Sequence, residues 1–195
     1  MKLKIQLFFI STLLLSNIAF SQFSIGFVIG GIGYHPKTDK NSKFYKWKID
    51  KKGKFVGYSS ISIITNYRCS QYFGFKVTHT KIFHDCAGKK AGVTHIGINL
   101  YDDVIGWNNP SHEFSLSFGP LWYYRKNWTQ EPEYQNDPNF IILLKNKLWE
   151  RKFIWYGGTI EYNYNLLQGY SFSTNILPGY PFLYTAVFGV KKTIQ

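Results

Sequence analysis

The chain has 195 residues and a formal net charge of +12, and aromatic residues make up 19% of it. The length suits one domain, and no apolar run reaches the roughly 20 residues that a membrane-spanning helix needs. If the mature protein lies in a membrane, it must therefore be there as a β-barrel.

Residues 1–21 have the pattern of a signal peptide. Lys2 and Lys4 form a positive region, residues 5–15 are largely apolar, and the small residues Ala19 and Ser21 precede Gln22. We predict cleavage before Gln22 and export from the cytoplasm. Because an exported protein does not meet nucleic acid in the cytoplasm, we expect the positive charge to face anionic lipid or lipopolysaccharide.

The clearest strand pattern lies in residues 113–128, EFSLSFGPLWYYRKNW. Phe114, Leu116 and Phe118 alternate with small or polar residues, which is the period of a β-strand with two unlike faces. A cluster of rings follows, and then Arg125 and Lys126. This order is typical of a barrel strand whose apolar side meets lipid, whose rings lie at the headgroups and whose charges emerge in water.

Similar patterns recur along the chain and predict an all-β fold, an antiparallel up-and-down transmembrane β-barrel formed by residues 22–195. We predict eight strands, at residues 23–34, 44–50, 55–66, 72–85, 93–103, 113–128, 151–166 and 182–193. Residues 170–181 are expected to form an ordered loop, with a short strand as the alternative, and for residues 139–150 a short helix is favoured over an extra strand. With both termini in the periplasm, this count places the 129–150 connection on the periplasmic side, where turns are usually short.

Polar residues at alternate positions of these strands are predicted to point into the lumen: Lys76, His95, Asn99, Tyr101, Glu161 and Asn163. Side chains fill the lumen of an eight-stranded barrel, so a paired internal network is a better interpretation of this set than an active site. A carboxylate in such a lumen needs a cationic partner, and the candidates for Glu161 are Lys76 and Arg151.

Cys69 and Cys86 flank the predicted strand 72–85, which separates them by on the order of 40 Å. A disulfide requires Cα atoms within roughly 7 Å, so we predict two free thiols. The histidines share no ligand spacing with the cysteines, and neither a metal nor a cofactor is predicted.

Residues 33–57, GYHPKTDKNSKFYKWKIDKKGKFVG, resemble the start of the outer-membrane lipid A palmitoyltransferases. That family has a strand ending in a catalytic His, a polar loop, a second strand, a tight turn and a third strand. His35 falls at the position of the His, residues 48–53 cover the turn, and residues 175–180 are also similar. The resemblance implies an acyltransferase with His35 as general base. The family's Asp-Ser pair would fall at Thr65 and Asn66, so an ordinary His at the barrel rim is the alternative.

Three functions follow from these observations. The first is a non-enzymatic barrel of a Gram-negative outer membrane, with a structural, adhesive or lipopolysaccharide-interacting role. The second is a lipid-modifying barrel enzyme, and the third is a secreted soluble barrel for an apolar ligand, against which the polar inward faces argue. The partners expected for the first are outer-membrane lipids, lipopolysaccharide and the barrel assembly machinery, and we expect a monomer.

Overall fold

The computed structural model describes residues 22–37, 39–107, 109–132, 134–135, 141–143, 148–179 and 183–194. The predicted signal peptide, residues 1–21, lies outside these ranges. Among the described residues, no helix has the length and apolar character needed to cross a bilayer.

The described chain forms a closed antiparallel barrel. Its strands are β1 (Gln22–Tyr34), β2 (Phe55–Arg68), β3 (Phe73–His84), β4 (Ala91–Tyr101), β5 (His112–Lys126), β6 (Ile141–Leu143), β7 (Trp149–Asn165), β8 (Tyr170–Gly179) and β9 (Leu183–Ile194). Eight of them make the wall, which closes where β5 pairs with β7, while the three-residue β6 extends β7 at one edge. The predicted fold class, an up-and-down β-barrel, is confirmed.

The predicted strand count is right, but two assignments are wrong. Residues 44–50 make one isolated bridge, Lys48 to Val56, and the N–H groups of Lys46 and Trp47 donate to the Cys86 carbonyl instead of a neighbouring strand. Residues 170–179 are not a loop but the wall strand β8. Their alternation of exposed Phe172 with buried Ser173 is the same two-faced pattern as in the other strands.

Because residues 44–50 are not a wall strand and residues 170–179 are one, the two longest connections, 35–54 and 127–148, lie at the same end of the barrel. We call it the loop end; it carries residues 35–54, 85–90 and 127–148. The other end, the terminus end, carries the connections 69–72, 102–111 and 166–169 together with the first and last residues of the wall. The 127–148 connection therefore lies opposite the chain ends, which corrects the predicted side.

The helix predicted at residues 139–150 is also wrong. Ile141–Leu143 is a strand that pairs with residues 149–151 of β7, and Trp149–Glu150 already belongs to β7; residues 139–140 and 144–147 lie outside the described ranges. Residues 141–143 can pair there because β8 covers only residues 160–165 of the long strand β7 and leaves the edge of residues 149–151 free.

The strands are strongly staggered. A path that follows paired residues around the wall leaves β5 at Trp122 and returns to it at His112, ten residues away. For eight strands, this stagger corresponds to a tilt of about 40° and a rise of about 2.5 Å per residue along the barrel axis. Strands of 10 to 17 residues can thus span an apolar layer of roughly 25 Å.

The alternation of faces is interrupted once in β7. The alternation that places Glu161 inward predicts the same direction for Trp155, six positions earlier, but Trp155 is 75% exposed, and its neighbour Tyr156 is also exposed. Ile154 instead packs against the buried residues Leu121 and Val93. The register with β5 shifts between Gly119 and Leu121, and this irregularity changes which residues face the interior.

Candidate functional site

All six residues predicted to face the lumen lie inside the barrel. Their side chains are at most 5% exposed: Lys76, His95, Asn99, Tyr101, Glu161 and Asn163. They belong to β3, β4 and β7 and occupy positions that alternate with exposed apolar residues.

Glu161 is at the centre of this interior. Its Oε2 lies 2.6 Å from the Lys76 ammonium and its Oε1 lies 2.8 Å from that of Lys191. Lys76 also donates to Asn175 at 2.9 Å. The predicted partner Lys76 is therefore present, whereas the other candidate, Arg151, is exposed at the loop end and does not reach Glu161. Lys191 was missed, although the outward positions of Phe188 and Val190 place it on the inner face.

The ion pairs continue from Glu161 to the terminus end. Lys191 lies 3.4 Å from Glu113, which Arg68 contacts at 3.1 Å, and Arg68 in turn contacts Asp103 at 2.5 Å. Positive and negative groups alternate along this chain, so six ionised side chains carry no net charge between them. This balance is what a polar interior of low dielectric requires.

A cavity of about 170 Å³ lies where this chain meets the terminus end. It is lined by Arg68, Asp102, Asp103, Trp107, Asn109, Pro110, His112, Glu113 and Asn165. Asp102 accepts the Phe114 N–H at 2.8 Å, and burial raises the pKa of its carboxyl. Arg68, the one arginine or lysine in this lining, is paired with Asp103 and Glu113, and Asp102 is held by a backbone N–H, so these charged groups are engaged within the fold.

Two clusters of buried apolar side chains lie toward the loop end. Val28, Ile64, Leu177 and Val187 form one buried layer across the lumen. Above it, the loops bury a second cluster, the cap, that consists of Tyr45, Val56, Cys86, Ala87 and Trp128. The side chains of these two clusters fill part of the space between the ion pairs around Glu161 and the loop end.

Polar contacts fix this cap. Asp85 accepts the Trp128 indole N–H at 2.7 Å and two backbone N–H groups of its own loop, and burial is the main reason that its pKa is raised. Arg125 pairs with Glu150 at 3.0 Å, and its guanidinium lies 4.3 Å from the Trp128 ring. Arg125 was predicted to emerge in water; it is 3% exposed, because β5 turns it toward the cap.

His35, the general base under the enzyme alternative, is part of the same cap. It is 1% exposed, its Nε2 lies 3.5 Å from the Tyr45 hydroxyl, and the two rings are stacked. Burial raises the pKa of Tyr45, with Cys86 and Asp39 adding to the effect. The segment that the resemblance required to be a strand, residues 44–50, is not one. The resemblance to the palmitoyltransferases thus gains no support from the geometry at His35.

The cysteines lie at opposite ends of β3, Cys69 before it and Cys86 after it, and neither is in a disulfide. Burial raises the pKa of the Cys86 thiol. Within the described ranges, no cluster of His, Cys, Asp and Glu side chains could hold a metal ion.

The exposed face of the loop end is strongly basic. Residues 35–54 contain eight lysines and two aspartates, a net charge of +6, which is half of the charge of the whole chain. Seven of these lysines are exposed and Lys54 is half-buried. Asp50 keeps its negative charge, which the net value includes, because the hydrogen bond from the Phe55 N–H, together with that from Lys52, lowers its pKa and holds the carboxylate in the turn.

No known protein family matches the chain, and no curated protein does. Among solved structures, it is similar to Ail, the attachment invasion locus protein of Yersinia pestis, with 11% identity, 89% of this chain and 97% of that chain covered, and a TM-score of 0.48. It is also similar to the N-terminal β-barrel domain of Pseudomonas aeruginosa OprF, with 10% identity, coverage of 89% and 97%, and a TM-score of 0.49. For Neisserial surface protein A the values are 7%, 89% and 95%, and 0.43. Similarity at this level concerns the barrel fold and says nothing of activity.

Proposed function

We propose that the protein is a non-conducting outer-membrane barrel with a structural and adhesive role, whose loop end binds lipopolysaccharide. The polarity of the wall supports a membrane location. The inner face carries buried ion pairs, while large apolar side chains cover the outer face of the wall strands; Phe27, Ile63, Phe75, Ile98 and Phe118 are each 44–55% exposed. A water-soluble barrel needs the opposite arrangement, whereas lipid requires this one.

The lengths of the connections support an orientation. Transmembrane barrels have short periplasmic turns and longer external loops. No connection at the terminus end exceeds ten residues, whereas the loop end has two of 20 and 22 residues beside shorter ones such as residues 85–90. In this orientation the loop end faces outward, residues 1–21 are a cleaved signal peptide, and the barrel assembly machinery inserts the chain as a monomer.

The observation that carries the proposal is the lysine-rich loop 35–54. Its net charge of +6 lies on exposed side chains above the outer end of an apolar wall. Lipopolysaccharide presents phosphate groups at this level, and each lysine near an anionic membrane surface adds about 1 kcal/mol of attraction. The packed cap beneath the loop argues against transport through the lumen and for a surface role.

The test combines location with binding. We expect the mature chain, beginning at Gln22, in the outer-membrane fraction, and recovery in a soluble periplasmic fraction would reject the proposal. The double variant Lys51→Gln with Lys52→Gln removes two exposed lysines. Its binding to lipopolysaccharide in vesicles should be about 2 kcal/mol weaker than that of the wild type, and added salt should reduce this difference. Lys192→Gln, a lysine change at the terminus end, is the control and should have little effect. Equal loss in both variants would contradict the proposed orientation.

A further inference from the structure

Two basic side chains project from the outer wall of β3. The outward positions of this strand begin with Phe73, Phe75 and Val77, but the next two are His79 and Lys81, and all five are exposed. The alternate positions on the same strand, such as Thr78 and Thr80, are buried in the barrel. The basic groups therefore lie on the face that the proposed function assigns to lipid.

The pairing of the strands fixes how deep these groups lie. His79 is paired with Ile63 on β2 and Thr94 on β4, and Lys81 is paired with Ile61 on β2. Ile61 and Ile63 are exposed on the outer wall, so His79 lies within the apolar band. Lys81 is two residues, or about 5 Å, closer to the loop end, at the upper boundary of that band.

Local contacts orient both groups and leave them available. The His79 Nδ1 lies 2.8 Å from the Thr94 hydroxyl, so the remaining ring nitrogen is the one that can meet a ligand. The Lys81 ammonium lies 5.4 Å from the centre of the Phe83 ring, which is the next outward side chain toward the loop end. No outward-facing described residue of β2, β3 or β4 is a carboxylate that could neutralise this charge.

The basic track continues upward into the loops. His84 shares a hydrogen bond with Ser59 at 3.2 Å, and the Trp47 ring stacks on it at 5.8 Å. Exposed Lys46 and Lys48 flank this tryptophan. Hydrogen-bond donors and cations therefore extend from the apolar band to the basic loop along one side of the barrel.

A cation on the lipid face of a barrel is costly near the middle of the bilayer and becomes tolerable near its surface. An anionic headgroup removes this cost by supplying the missing countercharge. We propose that His79, Lys81 and Thr94 form a specific wall site for a phosphorylated glycolipid of the lipid A type. Lys81 pairs with the phosphate on the sugar, and His79, about 5 Å deeper, donates to the ester and hydroxyl oxygens that join the acyl chains to it.

This inference rests on the proposed function, since it requires the loop end to face the leaflet that contains the glycolipid. It goes beyond that function because it assigns the glycolipid to one side of the wall. A diffuse attraction to the lysine-rich loop would depend on charge alone. A wall site should distinguish a phosphorylated glycolipid from a phospholipid of equal charge.

The test uses the full mature barrel in detergent and native mass spectrometry to count bound lipid A, monophosphoryl lipid A and phosphatidylglycerol. The variant His79→Leu with Lys81→Leu replaces both groups by side chains that suit lipid, so it should fold at least as well as the wild type in neutral phosphocholine vesicles. We expect it to lose about tenfold in lipid A affinity and to lose the preference for monophosphoryl lipid A over phosphatidylglycerol, two lipids with one phosphate each.

The loop variant Lys51→Gln with Lys52→Gln separates the two proposals. If the wall variant binds lipid A like the wild type while the loop variant binds it less, the wall site is refuted and the proposed function stands. If the wild type prefers phosphatidylglycerol to monophosphoryl lipid A, or binds these two lipids equally, the assignment to a glycolipid is refuted. If the wild type binds no anionic lipid, the proposed function fails together with the wall site.

Discussion

Glu161 is the residue whose loss should disturb the barrel interior most. Its two carboxylate oxygens neutralise the ammonium groups of Lys76 and Lys191, at 2.6 and 2.8 Å. All three side chains are at most 6% exposed. Glu161→Ala would thus leave two buried positive charges, of which Lys191 alone retains a second carboxylate, Glu113, at 3.4 Å.

Breaking a buried ion pair by removing one partner costs about 3–5 kcal/mol. Because Glu161 serves two lysines, we expect Glu161→Ala to reach the upper part of this range. Glu161→Gln should cost less, since the amide keeps the shape and one acceptor for these ammonium groups. The double change Lys76→Met with Glu161→Gln should recover part of the loss, because it removes one of the two uncompensated charges.

The measurement is unfolding in urea in vesicles, with the heat-dependent shift of the folded band on a gel as a second readout. Glu131→Ala is the control, since this carboxylate pairs with Lys89 on the partly exposed surface and should cost less than about 1 kcal/mol. Wild-type stability of Glu161→Ala, or equal costs for Glu161→Ala and Glu131→Ala, would show that the interior ion pairs do not support the fold as argued.

The remaining predictions concern the loop end and the thiols. A maleimide should label half-exposed Cys69 but not buried Cys86 in the folded barrel, and a peptide map without reductant should find no link between them; a linked pair would contradict the placement of β3 between them. Asp85→Ala removes the acceptor for an indole and two backbone N–H groups, so it should loosen the cap and make Cys86 reactive. By NMR, the pKa of the Asp50 carboxyl should lie below its ordinary value of 3.8, and a pKa at or above 3.8 would contradict this. The contribution of Asp50 to the stability of the turn is therefore present above pH 3.8 and is lost as the pH falls through the lowered pKa. His35→Ala should leave the lipid A acylation pattern unchanged by mass spectrometry, whereas loss of an acyl chain would establish the enzyme alternative.

The sequence by itself determined which side chains face inward, because a strand has a period of two and every wall strand must place one face toward lipid. This rule correctly placed Lys76, Asn99 and Glu161 inside. The same rule applied to Ser173 and Asn175 identifies β8, in a segment where an ordered loop is expected from the sequence. Lys191 could likewise have been found from its outward neighbours.

Other features depended on how distant segments meet. The stagger of the strands decides that Glu161 on β7 reaches Lys76 on β3 and Lys191 on β9, and nothing local in the sequence fixes that stagger. The register shift beside Gly119 reversed the predicted direction of Trp155. Arg125 turned inward because Glu150, 25 positions later in the chain, offers a buried carboxylate. Alternation is a property of one strand, whereas closure, register and charge pairing are properties of the whole barrel, and these required the tertiary structure.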